Sequence, residues 1–283
     1  MTTKKRIHIK KHRHAGYWIA LILMTAGAIL MSIPLIWMLL SAFKTQNELY
    51  QMPPTLLPKQ FSWENFKAVF EAMPFLRYYA NSLGTSAVNT VVGVLSSSLF
   101  GFVFAKYKFP GRDVLFVVIL ACMMIPYETL MTSVYKIMVG FKWTNSYIVL
   151  TVPYFVNIFG IFLMRQFFVD LPDGFLEAAE IDGCGQFRTY WSIAMPMAKS
   201  MLAALAIFLF MASYNSFLWP LISVDSRTFF TLPVGIASML SDRGNQMAML
   251  MAASTMVMLP VCIVFAVAQK NFVAGLTLGG IKG

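Results

Sequence analysis

Six apolar runs, each long enough to cross a bilayer, constrain this chain more than any other feature. A spanning helix needs roughly 20 predominantly apolar residues. Such runs occupy approximately 17–43, 82–105, 114–135, 146–166, 200–223 and 247–268. Of the 283 residues, 58% are hydrophobic and only 12% are charged, against about 25% charged in a soluble domain. A soluble core of this size could not bury so much apolar surface, whereas lipid can. The expected fold class is all-α, a polytopic membrane protein with six transmembrane helices. Pro34, Pro126, Pro153, Pro220 and Pro260 interrupt the runs. Such kinks are tolerated in lipid where neighbours satisfy the freed carbonyls. The first run is too long for a signal-peptide core and lacks a small-residue cleavage site, so it reads as a retained span.

Charge sets the expected topology. With the N-terminus inside, the cytoplasmic segments hold fourteen of the 22 basic residues. They are Lys4, Lys5, Arg6, Lys10, Lys11, Arg13, Lys106, Lys108, Arg112, Arg165, Arg188, Lys199, Lys270 and Lys282. The outer segments hold the other eight: Lys44, Lys59, Lys67, Arg77, Lys136, Lys142, Arg227 and Arg243. The excess places both termini in the cytoplasm. Residues 1–16 then form a basic cytoplasmic tail, 17–268 the transmembrane domain, 167–199 a cytoplasmic loop, and 269–283 a C-terminal cytoplasmic tail. The formal net charge of +10 belongs to span ends and not to a basic stripe with interleaved aromatics, so no nucleic-acid partner is expected. Membrane lipid is the partner the composition requires. Cys122, Cys184 and Cys262 lack zinc or disulfide spacing. His8, His12 and His14 sit in the basic tail and read as solvated charge, so no metal site is expected.

On the second run, Thr85, Asn89, Gly93, Ser97, Gly101 and Ala105 recur every four residues. Small faces of this kind let helix backbones approach closely in lipid, so packing is the expected role. Among the outer segments, Ser62 reads as the cap of a short amphipathic helix, and 224–246 reads as partly ordered around Leu232-Pro233-Val234-Gly235.

The loop at 167–199 is the most charged stretch. Asp170, Asp173, Glu177, Glu180 and Asp182 are five of the twelve acidic residues. Asp170 can cap a helix whose first turn accepts Pro172. Phe175, Leu176 and Ala179 give it an apolar face. Gly183 and Gly185 can adopt the left-handed geometry that ends a helix, and a second short helix runs from about Gln186 to Met195, stopping near Pro196. Ala178 and Ala179 allow another surface to approach the backbone, and Glu177 offers an anionic anchor for an Arg or Lys. The alternative is an amphipathic surface helix with solvated acids.

Glu177-Ala178-Ala179, three residues, Gly183, nine residues, Ile193, one residue, then Met195-Pro196 resembles the EAA motif of binding-protein-dependent ABC importer permeases. Met195 stands where the family usually has Leu. Phe109-Pro110-Gly111-Arg112, Tyr214 through Pro220, Thr231 through Gly235, and Gln269 through Gly283 look like the maltose-type, carbohydrate branch. The resemblance covers nearly the whole chain. It implies the type I importer permease fold in a bacterial cytoplasmic (inner) membrane. It also implies a second permease subunit, two ATPase subunits that use ATP and Mg, an extracytoplasmic solute-binding protein and a sugar substrate. The family's coupling helix maps onto roughly 172–182, with Glu177, Ala178, Ala179 and Gly183 at motif positions and Asp182 beside them. The loop at 224–246 is expected to meet the binding protein, and the tail at 270–283, loosened by Gly275, Gly279, Gly280 and Gly283, to lie near the ATPase pair.

No enzyme constellation is present. In Gly275 through Lys282 the Lys does not follow the second Gly directly, no Ser or Thr follows it, and no strand precedes it, so the chain is expected to bind no nucleotide and no cofactor itself. Sugars are gripped by aromatic faces and by amide or hydroxyl groups. Asn157, Asn215, Ser216 and Trp219 supply such groups at membrane depth and are the candidate sugar pathway, with interhelical hydrogen bonding as the alternative. A permease for glycerol phosphate, a polyamine or an amino acid is the rival function. A standalone carrier would be expected to show intramembrane ionisable groups or inverted repeats; Glu128 is the clearest such group, and the acidic loop would go unexplained.

Overall fold

The computed structural model of the protein describes residues 15–243 and 246–278. The His-bearing part of the basic tail lies outside them. Every regular element among the described residues is helical. Four helices are long and apolar enough to cross a membrane: Gly16–Ser41, Phe75–Lys106, Tyr147–Val169 and Met247–Val267. Two bent pairs, Arg112–Met123 with Tyr127–Gly140 at 103° and Gln186–Met197 with Lys199–Tyr214 at 81°, pass the same length and composition test only if each pair is counted as one span. Against the six expected runs there are thus four candidate spans, or six if both bent pairs cross.

The chain divides into two compact units, residues 1–67 with 246–255 and residues 68–245 with 256–283. In the first, α1 (Ala15–Ser41) continues through Pro34 and exposes most of its side chains. After it, Lys44 is buried, donating to the Thr55 carbonyl with its ammonium 4.5 Å from the Trp37 ring. The short α2 (Gln46–Leu49) is capped by Thr45. Its buried Glu48 accepts from the Thr55 hydroxyl at 3.1 Å and the Lys59 amide at 2.9 Å. A buried polar group held by several donors is the form in which such burial is tolerated. Ser62 accepts from the Glu64 amide at 3.2 Å and starts α3 (Glu64–Ala72), the capped amphipathic helix the sequence implies.

The second unit is built on α4 (Phe75–Lys106). It begins ahead of the apolar run at 82 because Asn81, too polar for a lipid-facing run, donates to the Thr228 and Phe230 carbonyls at 2.9 Å. Next come α5 (Arg112–Met123), α6 (Tyr127–Gly140), α7 (Tyr147–Thr151), a 3-10 turn at Val152–Tyr154 and α8 (Ile158–Val169). Pro126 explains the break between α5 and α6: it has no N–H for the Cys122 carbonyl, and its ring would collide with it. Then follow α9 (Gly174–Ile181), α10 (Gln186–Thr189), a π-helical turn at Tyr190–Ala194, α11 (Met195–Met197) and α12 (Lys199–Tyr214). The run expected as one helix over 200–223 stops at Tyr214. Pro220 would remove the bond to the Ser216 carbonyl, and the chain restarts as α13 (Leu218–Ser223). The outer segment contains α14 (Leu232–Arg243). Finally α15 (Met247–Leu278), whose residues 247–255 belong to the first unit, runs through Pro260. Residues 269–278 are therefore helical and not the glycine-loosened tail expected. A single helical Gly, Gly275, costs only about 1 kcal/mol. Gly279, Gly280 and Gly283 lie outside the described residues.

The small face of α4 packs as expected. A Cβ on Gly101 would sit 2.6 Å from Met164 Cβ, and one on Gly93 would sit 2.9 Å from Leu209 Cδ1, so α8 and α12 approach close to the α4 backbone. Polar groups on the same face bridge helices. Asn89 Nδ2 donates to the Leu150 carbonyl at 3.0 Å and to Ser213 Oγ at 2.8 Å. Around Phe102 the core gathers Met164, Phe168, Leu171, Tyr190, Ala194, Ala198, Leu205 and Leu209. That cluster is the floor on which the acidic loop stands.

Candidate functional site

The acidic loop forms a structured platform. α4 ends at Lys106, whose ammonium donates to the Leu171 carbonyl at 2.6 Å and to Asp173 Oδ1 at 2.5 Å. Asp173 occupies the N-cap position of α9 without capping it through its side chain. Asp170, expected as that cap, closes α8 instead. The hydrogen bond and charge of Lys106 hold the Asp173 carboxyl below the usual carboxylate range. A lowered pKa means the pair is intact at neutral pH and is lost only as pH falls through that depressed value.

The far end of α9 is a Schellman turn. The Gly183 amide donates to the Glu180 carbonyl at 3.0 Å and the Cys184 amide to the Ala179 carbonyl at 2.9 Å. Gly183 has φ +75°, the left-handed value this turn requires. Gly185 is extended at φ −68°, so only one of the two glycines expected to be left-handed is so. The platform splits the two alanines. Ala178 is exposed, whereas Ala179 is buried against the body. Phe175, expected on the inner face with Leu176 and Ala179, is half exposed. Glu177, Asp182 and Gly183 share the outer surface with Ile181 and Phe187, 86% and 71% exposed. Acids flanked by exposed apolar side chains make a surface suited to a partner and poorly suited to water. Sequence periodicity could not find Ile181 and Phe187, because either face of so short a helix could have been the inner one. Beside α9 lies a cleft of about 600 Å³, on which Glu177 also borders, with Lys106, Tyr107, Lys108, Arg112 and Glu180 on its walls. Burial, with Glu180 nearby, raises the Tyr107 phenol above its ordinary range.

A second cavity, about 680 Å³, opens where α5 breaks into α6. Its walls include Tyr127, Glu128, Tyr154, Asn157, Ser216 and Trp219. The proline-forced breaks at Pro126, Pro153 and after Tyr214 bring these groups together, since unbroken helices would carry them past one another. The Tyr154 hydroxyl and Ser216 Oγ are 2.8 Å apart. Asn157 Oδ1 accepts from the Gly160 amide at 2.7 Å and caps α8. Trp219 is 1% exposed and donates from Nε1 to the Val149 carbonyl at 2.8 Å, packed among Met138, Leu150 and Val224. Asn215 is exposed and is not part of the wall. So three of the four expected pathway residues meet at one cavity, and each of them also holds a hydrogen bond within the chain. Tyr127 and Tyr154 were missed; aromatic residues beside prolines in an apolar run carry no sequence signal of a common wall.

Because it is buried, Trp219→Ala should destabilise the folded protein by about 3–5 kcal/mol as well as altering the cavity. Thermal unfolding of the detergent-purified variant checks this; an unchanged midpoint would mean Trp219 is not part of the core.

Comparison with known proteins then fixes the family. The model of the binding-protein-dependent transport system inner membrane component matches residues 97–278, spanning α4 from Ser97 through both cavities and the α9 platform. The chain belongs to this family. It is a multi-pass inner-membrane permease of an ABC importer. The arabinooligosaccharides transport system permease protein AraQ of Halalkalibacterium halodurans is 37% identical over 253 residues, covering 88% of this permease and 91% of that one. The sn-glycerol-3-phosphate transport system permease protein UgpE of Yersinia pestis is 32% identical over 263 residues, covering 90% and 94%. A crystal structure of a bacterial ABC transporter that imports the acidic polysaccharide alginate shares the fold, with a TM-score of 0.81 at 21% identity, covering 96% of this permease and all of that chain.

Proposed function

We propose that this permease forms one half of the translocation path of an importer for neutral carbohydrates, with both termini cytoplasmic. A second permease forms the other half, and an extracytoplasmic binding protein delivers the sugar. Two ATPase subunits, which hold ATP and Mg, dock on the permeases. Here the docking surface is the outer face of α9, with Glu177, Ala178, Asp182 and Gly183 facing the ATPase and Ala179 packed beneath them. The greater identity with an arabinooligosaccharide permease supports the sugar class.

The observation that carries the choice of a neutral sugar is the wall of the α5–α6 cavity. It offers hydroxyl, amide and aromatic groups, and its only charged residue is Glu128. A phosphate or carboxylate at about 5 Å from that carboxylate, at an effective dielectric near 20, meets a repulsion of about 3 kcal/mol, a factor on the order of a hundred. This supports a neutral sugar over glycerol phosphate. The test is uptake by proteoliposomes holding the whole complex and supplied from outside with the binding protein and labelled arabinooligosaccharide or sn-glycerol 3-phosphate. Oligosaccharide uptake is expected to dominate, and Ser216→Ala is expected to reduce it by about tenfold, the worth of one good polar contact. Preferred uptake of glycerol phosphate would overturn the assignment.

A further inference from the structure

We infer that Lys106 is a positioning residue that ties the docking helix α9 to α4, so that a displacement of α9 is transmitted to the central helix of the bundle. The inference rests on the reading of α9 as the ATPase-docking surface. Lys106 is the last residue of α4, and its side chain is only 7% exposed. Burying an ammonium is unfavourable unless it is paired and its protons are bonded. Both of its acceptors, the Leu171 carbonyl and Asp173 Oδ1, lie in the short link immediately before Gly174, where α9 starts. Beyond α9, Tyr190 OH meets Ser98 Oγ at 2.5 Å, about two turns back along the same helix. One helix therefore holds both the link before α9 and the turn after α10.

The rest of α4 is suited to carrying a push. It is a single helix of 32 residues without proline, about 48 Å long. At its other end Asn81 holds the Thr228 and Phe230 carbonyls, and Ser82 Oγ accepts from the Leu232 amide at 2.7 Å. Apolar packing around Phe102, Phe168 and Tyr190 seats the platform, but such contacts slide, whereas a charge-assisted bond to a fixed carbonyl and carboxylate sets direction. Both bonds of the Lys106 ammonium go to groups of this chain, so its effect is on the geometry of coupling and not on chemistry.

The experiment uses the complete complex in proteoliposomes and reads sugar transported per ATP hydrolysed, together with ATPase retained on purification. Lys106→Met keeps the apolar stem and removes the tie. It is expected to lower the transport-to-hydrolysis ratio by about tenfold, within the range by which single residues modulate coupling, with ATPase retention within about twofold of wild type. Asp173→Asn, at a largely exposed position, removes only the ion pair and is expected to lower the ratio by about threefold; Lys106→Arg is expected to restore most of it. An unchanged ratio in both Lys106→Met and Asp173→Asn overturns the inference, as does loss of the ATPase together with transport in Lys106→Met. Glu177→Lys serves as the separate arm: if it retains the ATPase and transports normally, the docking reading itself fails whatever Lys106 does.

Discussion

Glu177→Lys should reduce sugar uptake by a hundredfold or so while leaving the permease in the membrane at its normal level. Glu177 is exposed on α9 and holds no ion pair within the chain among the described residues, so reversing its charge disturbs no packing of the permease. If it anchors a cation of the ATPase in a desolvated interface, truncating such an anchor costs about 2–5 kcal/mol, and reversal at least as much. Gly183→Val should act through the backbone. Nothing lies within 4 Å of the Cβ it would add, so crowding is not the penalty. The penalty is φ +75°, which a β-branched residue reaches only as an outlier, at about 1–2 kcal/mol or more. The Schellman turn then opens and the outer face of α9 loses its end. Uptake of labelled sugar and co-purification of the ATPase are the measurements. Wild-type uptake by both variants would return α9 to a solvated surface helix.

Gly101→Val should remove most of the folded permease. The added Cβ would lie 2.6 Å from Met164 Cβ and 2.8 Å from the Arg165 amide nitrogen. That nitrogen is backbone inside α8, so no rotamer change relieves the contact, and the two helices must separate. Overpacking of this kind costs about 1–3 kcal/mol even where neighbours can yield, and here they yield little. Gly84→Ala is the matched control, because it lies in the same helix with nothing within 4 Å of the new Cβ. It should leave folding unchanged or improve it by about 0.5–1 kcal/mol. The measurement is the monodisperse fraction after detergent extraction. Equal yields of the two variants would show that α4 and α8 do not meet at Gly101.

Much of the architecture was legible from residues alone. The six apolar runs are all largely helical in the structure, because lipid forces any such run to satisfy its own backbone, and four of them are single candidate spans. The four-residue spacing on α4 gave its packing face, because a helix fixes which residues share a side. Spacing of Glu177, Gly183 and Pro196 pointed to a docking unit, and Gly183 is left-handed as a helix end requires. What the sequence could not decide was anything that depends on how one element meets another. The 103° break at Pro126 and the stop at Tyr214 follow from proline chemistry locally, but their convergence with Pro153 into one cavity is a matter of packing. Which alanine of the pair faces outward, and that Ile181 and Phe187 do so too, was settled by the cluster around Phe102 on which α9 rests. Lys106 shows the same limit most plainly. In the sequence it is one cation at a span end, counted for topology; only the fold brings its ammonium to Leu171 and Asp173, because the contact joins residues 65 and 67 positions apart that no local rule relates.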